Sequence, residues 1–298
     1  MNAQLSWNLI FDVRELLSYH FMLNAMRAGT IVAVVSGVIG YFMVLRRQTF
    51  VGHTLAVVGF PGAAGAYWIG VNAAFGYFGF CVLAALIVAA LPGSGRANGR
   101  TGSGQESAVI GTLQGFALAS GFLFISLAHG FANELNDLLF GVIIGVTDDQ
   151  VVTLLICGVL CLVVLAAIAR PLLFVSVDAD VARARGLKPR LLSAIFLVLL
   201  GISVAATSQI TGSLLVFALL VAPAATAARL TARPGLGVLL SVVIAVLVTW
   251  LGEGIAFFSP YPIGFWVTTF AFAAFVLAVV CRALVDRWGR RGPVGARA

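Results

Sequence analysis

Apolar residues run along this chain in blocks of about twenty, parted by short stretches where charge, glycine and proline gather. The blocks cover 22–45, 50–70, 74–91, 107–128, 151–172, 191–209, 212–228, 236–257 and 264–282. A helix needs roughly 20 apolar residues to cross the hydrocarbon core of a bilayer. The pattern therefore predicts an all-α, polytopic membrane protein with about nine transmembrane helices, or about 8–10 if short or re-entrant pieces are counted differently. Residues 1–20 alternate polar and apolar positions too freely to span, and they lack the charged start and small-residue cleavage site of a signal peptide. Within them Leu5–Tyr19 reads as an amphipathic helix lying in the interface. The transmembrane domain then occupies 21–284, followed by a basic tail at 285–298.

Composition agrees and excludes the alternatives. Of 298 residues, 61% are hydrophobic and 10% charged, and the mean hydropathy is +1.08. Soluble domains carry about 25% charged residues, so these charges are too few to cover a soluble surface. Disorder requires the opposite balance. The four cysteines, Cys81, Cys157, Cys161 and Cys281, all lie in apolar blocks and read as small apolar filler.

The net charge of +7 changes the picture once its distribution is followed. Alternate loops collect 16 of the 18 basic residues on one side, including Arg46, Arg47, Arg170, Arg183, Arg229, Arg233 and the tail, with Glu106, Asp178, Asp180 and Asp286. The other side holds Arg14 and Arg27 against seven acids. Cytoplasmic loops are enriched in Lys and Arg, which predicts an outside N-terminus and a cytoplasmic C-terminus. The positive charge is thus a topology signal that places the tail near anionic headgroups of the lipid bilayer, and it is no evidence for nucleic acid.

Candidate chemistry is sparse. The Gly/Ser-rich loop Pro92–Ser107 looks like a phosphate cradle but lacks the Gly-Lys-Ser/Thr ending, and Lys188 is the protein's only lysine. No H-E-x-x-H or Gly-x-Ser-x-Gly occurs, so an intramembrane enzyme is disfavoured. Helix-breaking residues at Gly59-Phe60-Pro61-Gly62, Gly212, Pro223 and Pro260-Tyr261-Pro262 mark either kinks or the lining of a substrate path. Gln209, Thr211 and Ser213 flank Gly212, and with Pro223 they form a candidate gate. His129, Glu134 and Asp137 fall on an outer loop. Glu253, near the outer end of its block, reads as a carboxylate that snorkels to the interface.

One basic loop has more structure than a solvated connection needs. In Ser176–Ala194, Asp178 or Asp180 can N-cap a two-turn helix starting near Val181, Gly186 suits the left-handed residue that closes it, and Lys188-Pro189-Arg190 leads into the next block. Such a helix would lie across the membrane face with Arg183, Arg185 and Arg190 outward.

The run D-x-D-V-A-R-A-R-G-L-K-P-R-L-L (178–192) resembles the coupling-helix segment of bacterial permeases in the zinc/manganese (ABC-3) family. Val44–Gly62 (VLRRQTFVGHTLAVVGFPG) and Thr211–Leu230 (TGSLLVFALLVAPAATAARL) resemble two further segments of that family, with weaker likeness at Glu106–Gly111 and Leu139–Val146. In order, these cover about residues 20–282. The resemblance implies a type II ABC importer-like fold in the bacterial inner membrane. It also implies a second copy of the permease, two cytosolic ATPase subunits that bind the ATP, an extracytoplasmic solute-binding protein and a divalent metal as cargo. Asp178, Asp180, Arg183, Arg185, Gly186 and Arg190 would then couple to the ATPase.

Two positions depart from the family. Where it typically places an acid and, four residues later, a histidine, this chain has His53 and Val57; where it often has Asp, this chain has Pro260. Manganese prefers oxygen ligands whereas zinc accepts imidazole, so these changes favour zinc. Two copies of His53 facing a shared axis would give two nitrogen ligands; alternatively His53 sits at the cytoplasmic end and bonds a backbone carbonyl. A chelated metal or small organic cargo is the alternative within this architecture. A secondary transporter is a third reading, for which intramembrane acids are scarce.

Overall fold

The computed structural model describes residues 15–16, 18–91, 103–127 and 146–289, except for the side chains at 103–107, 209–211, 213–214 and 286–289. Most of the interfacial helix expected at Leu5–Tyr19, most of the Pro92–Ser107 loop, the outer loop with His129, Glu134 and Asp137, and the tail beyond Gly289 lie outside the described residues.

The described chain forms ten helices: α1 His20–Leu45, α2 Thr49–Trp68, α3 Ala73–Ala90, α4 Ser103–Leu127, α5 Asp148–Val177, α6 Ala179–Ala184, α7 Pro189–Thr211, α8 Ser213–Leu230, α9 Pro234–Phe258 and α10 Ile263–Gly289. Each apolar block coincides with one of the nine long helices. Seven of these (α1, α3, α4, α5, α7, α9 and α10) are long and apolar enough to cross a membrane. Of the other two, α2 is diluted by His53, Pro61 and four glycines, and in α8 the residues with described side chains, Leu215–Leu230, form a shorter apolar helix. Both are interior helices: α8 packs on α1, α2, α7, α9 and α10, while α2 is clasped by α3 and α4. A helix surrounded by protein does not need lipid-grade hydropathy.

Exposure sorts the helices in the same way. Of the spanning stretch of α1, 67% is buried, against 17% for α4 and 22% each for α5 and α10. Ile156, Leu160 and Val163 on α5 and Phe272 and Leu277 on α10 stand exposed, as apolar side chains do where lipid is the solvent. The largest buried cluster runs from Val35, Ile39 and Met43 of α1 through Leu55 of α2 to Leu165 of α5, Phe196 and Leu200 of α7 and Val216 of α8.

Glycine lets the inner helices approach closely. Gly40 of α1 lies against the Leu220 backbone of α8, and Gly37 against the Val242 backbone of α9. Gly62 and Gly76 press carbonyl against backbone where α2 crosses α3. Without a hydrophobic drive between helices in lipid, this close packing is what holds them together.

Two expected breaks are absent. Pro61 and Pro223 sit inside continuous helices. Beside Pro61, Tyr77 Oη of α3 donates to the Ala56 carbonyl (3.0 Å) and Cys81 Sγ to that of Leu55 (3.4 Å). Gly212 does interrupt: it ends α7 and starts α8 at φ 79°, backbone that suits glycine. Pro260-Tyr261-Pro262 forms the turn between α9 and α10.

Candidate functional site

The hairpin between α5 and α7 is built by its capping residues. Asp178 ends α5 in extended backbone, and its Oδ1 accepts from the amides of Asp180 and Val181, both at 3.0 Å. Asp178 is therefore the N-cap, and α6 starts at Ala179, two residues before the expected Val181. Asp180 falls in the first turn instead and meets Arg183 at 3.1 Å, an exposed pair worth little. At the other end the Gly186 amide donates to the Arg183 carbonyl and the Leu187 amide to that of Ala182. With Gly186 at φ 81°, these are the paired bonds of a Schellman closure. Pro189 then opens α7 at its first turn, where its missing N–H costs nothing. Ala182 is fully buried while Asp180, Arg183, Arg185, Gly186 and Arg190 are exposed. Arg185 lies over the Phe174 ring at 5.3 Å. The result is a short, closed helix seated on the bundle, whose outer face exposes Val181 and Ala184 beside Asp180, Arg183 and Arg185.

His53 projects from the second turn of α2. Its ring stands 4.7 Å from that of Phe217 on α8, and its Nδ1 is buried with no hydrogen-bond partner among the described residues, so no bond from that nitrogen to a carbonyl explains its place. His53 and Val57 are half-buried between buried neighbours, Phe217, Val221 and Ala225 on α8 are half-buried too, and the two helices meet here at the His53–Phe217 contact. Among the described residues no three His, Cys, Asp or Glu side chains gather closely enough to hold a metal. One copy of the chain thus offers a single imidazole. Of the candidate gate, Gly212 marks the helix break and Pro223 is buried inside α8; the Gln209 and Thr211 side chains lie outside the described residues.

Two charged residues differ from their sequence reading. Glu253 does not snorkel: it is 3% exposed, its carboxyl fills the space beside Gly29 of α1, and Oε2 has no partner among the described residues. Arg46, counted as a loop charge, is 5% exposed. Its Nε donates to Gln48 Oε1 (3.1 Å), Nη1 to Ser176 Oγ (3.1 Å) and Nη2 to Ser193 Oγ (2.7 Å). Burial pushes its guanidinium down to about 10, still high enough to stay charged at neutral pH.

Among the described residues, an all-helical bundle with lipid-type outer faces and a capped helix between two of its long helices defines a multi-pass membrane protein. Comparison sharpens that class. The model of the ABC 3 transport family matches residues 18–282, and the chain belongs to that family. It is 32% identical over 226 residues to the manganese transport system membrane protein MntC of Halalkalibacterium halodurans, covering 76% of this chain and 75% of that one. It is 31% identical over 241 residues to the chelated iron transport system membrane protein YfeC of Yersinia pestis, covering 81% and 79%. Among solved structures, PsaBC from Streptococcus pneumoniae in complex with Fab superimposes with a TM-score of 0.79 at 25% identity, covering 91% of this chain and 95% of that one.

Proposed function

We propose that this chain is the membrane-spanning permease of an ATP-driven importer for a divalent first-row transition metal. It would work as a dimer by alternating access, with an outside N-terminus and a cytoplasmic C-terminus. The observation that carries the reading is α6. A six-residue helix closed at both ends by side chain and glycine, with Ala182 buried and Asp180, Val181, Arg183 and Ala184 exposed, is a mixed apolar and charged surface of the kind a protein partner can press on. ATPase subunits docking there would supply the work, and Asp178, Asp180, Arg183, Arg185, Gly186 and Arg190 are the residues assigned to that contact. A solute-binding protein would deliver cargo on the opposite face.

The cargo path is assigned to the half-buried positions His53 and Val57 of α2, and Gln209, Thr211, Gly212 and Pro223 are kept as the candidate gate. A second copy across a two-fold axis would bring a second imidazole, and imidazole favours zinc over manganese on ligand chemistry. The names of the relatives point instead to manganese and iron. Competition settles the order. In proteoliposomes holding the permease, its ATPase and its binding protein, excess zinc should suppress labelled manganese uptake more strongly than the reverse; the opposite order removes zinc. A His53→Ala variant that still assembles should lose at least about ten-fold in uptake, the equivalent of about 1.4 kcal/mol; unchanged uptake removes His53 from the path. The scarcity of ligands in one copy supports a second reading, a chelated metal as cargo, which predicts uptake that requires the chelator.

A further inference from the structure

The α6 hairpin stands on two feet, Ser176 at the end of α5 and Ser193 in the first turns of α7. A single side chain holds both. Arg46 reaches from the end of α1 with Nη1 on Ser176 Oγ (3.1 Å) and Nη2 on Ser193 Oγ (2.7 Å), while Nε holds Gln48 (3.1 Å) and the guanidinium lies 5.5 Å from the centre of the Phe196 ring. The bridges cross 130 and 147 residues of chain. No carboxylate pairs with it among the described residues. A buried cation held by neutral hydroxyls has no alternative partner in place, so displacement of either foot either carries Arg46 along or leaves donors unsatisfied, which is costly in a buried site.

Arg46 is also mechanically joined to α2. It caps α1, and the chain turns at once: the Arg47 amide donates to the Val44 carbonyl and the Gln48 amide to that of Met43, with Arg47 at φ 57°. This Schellman closure, with arginine in the place glycine usually takes, makes a short elbow. Helix α2 starts at Thr49 and presents His53 four residues later.

We propose that Arg46 is the positioning residue that carries movement of the α6 hairpin to the α1–α2 elbow, and through it to the His53 face of α2. The inference rests on the reading of α6 as the ATPase contact, and it assigns the route by which that contact reaches the cargo path. Arg46 touches neither ATP nor cargo.

The test uses the double variant Ser176→Ala/Ser193→Ala, which removes both acceptors and leaves Arg46 and its packing in place, with Arg46→Lys as a second variant that keeps charge but loses the fork. In proteoliposomes with the ATPase and binding protein, metal moved per ATP hydrolysed should fall about ten-fold in the double variant, the change expected from losing a charge-assisted hydrogen bond. Hydrolysis itself should stay within about two-fold. A purely structural role would lower both together through lost assembly; an unchanged ratio overturns the proposal. A second readout uses the full chain alone in detergent. Amide exchange at 46–50 should rise about ten-fold in the double variant, whose substitutions lie far away in sequence. Unchanged exchange there overturns the link whatever the ATPase does, whereas failure of the wild-type chain to bind any ATPase would overturn the reading of α6 and leave the exchange result standing.

Discussion

Replacing Gly40 by alanine drives a methyl group into the backbone of α8. The added Cβ would stand 2.9 Å from the Leu220 carbonyl carbon and 3.1 Å from its Cα, and closer still to the carbonyl oxygen. Carbon atoms pack best at about 3.5–4.0 Å, so α1 and α8 must part by on the order of 1 Å. Backbone cannot swing aside as a side chain does. Overpacking of this kind costs about 1–3 kcal/mol, and a gap of about 1 Å forfeits a quarter to a half of each dispersion contact along the seam. The better helix propensity of alanine returns at most about 1 kcal/mol. A net loss of about 2 kcal/mol corresponds to a melting temperature lower by about 4–8 °C for a domain of this order of size. Gly115 of α4 and Gly79 of α3 are the controls, since a Cβ at either meets nothing within 4 Å. Thermal unfolding of the purified protein in one detergent, followed by size-exclusion fluorescence, reads all three. Gly40→Ala melting with wild type while Gly115→Ala melts lower would refute the close approach of α1 and α8.

Further outcomes follow from the polar residues. Asp178→Ala removes the α6 cap at a cost of about 1 kcal/mol, and Gly186→Ala places a side chain at φ 81° at a cost of about 1–2 kcal/mol; each should weaken ATPase binding in a pull-down titration by about five- to thirty-fold without moving the melting temperature of the bundle. Glu253→Gln keeps the shape of a carboxyl whose Oε2 has no partner among the described residues, so stability should hold within about 0.5 kcal/mol, whereas Glu253→Ala leaves a void worth about 2 kcal/mol. Gly29→Ala should be damaging in the wild type and milder beside Glu253→Ala, with a coupling of about 1 kcal/mol in the double-mutant cycle. Melting temperatures of the four proteins measure it.

Much of the fold was legible in apolar periodicity. All nine apolar blocks became helices, because a twenty-residue run without charge has few other solutions in lipid. The caps of α6 were legible for a local reason: Asp178 and Gly186 act on backbone within a few residues of themselves. What stayed hidden depended on residues far away in sequence. Pro61 and Pro223 look like breaks until the packing around them is known. Glu253 looks like a rim carboxylate because nothing nearby announces that Gly29, on another helix, opens a slot for it. Arg46 adjoins Arg47, and a pair of arginines at the end of a block reads as topology; only the arrival of Ser176 and Ser193 separates the buried one from its neighbour. For His53, sequence supplied the residue and its odd chemistry, while its contact with Phe217 required the placement of α8.

In the proposed function, movement of α6 by an ATP-hydrolysing partner drives metal through this chain. Labelled divalent-metal uptake into proteoliposomes containing the permease, ATPase and binding protein, with ATP enclosed and no proton gradient, is the decisive assay. Accumulation should require ATP and disappear with Gly186→Ala/Asp178→Ala; uptake by the permease alone, driven by a proton gradient and indifferent to ATP, would overturn the proposed function.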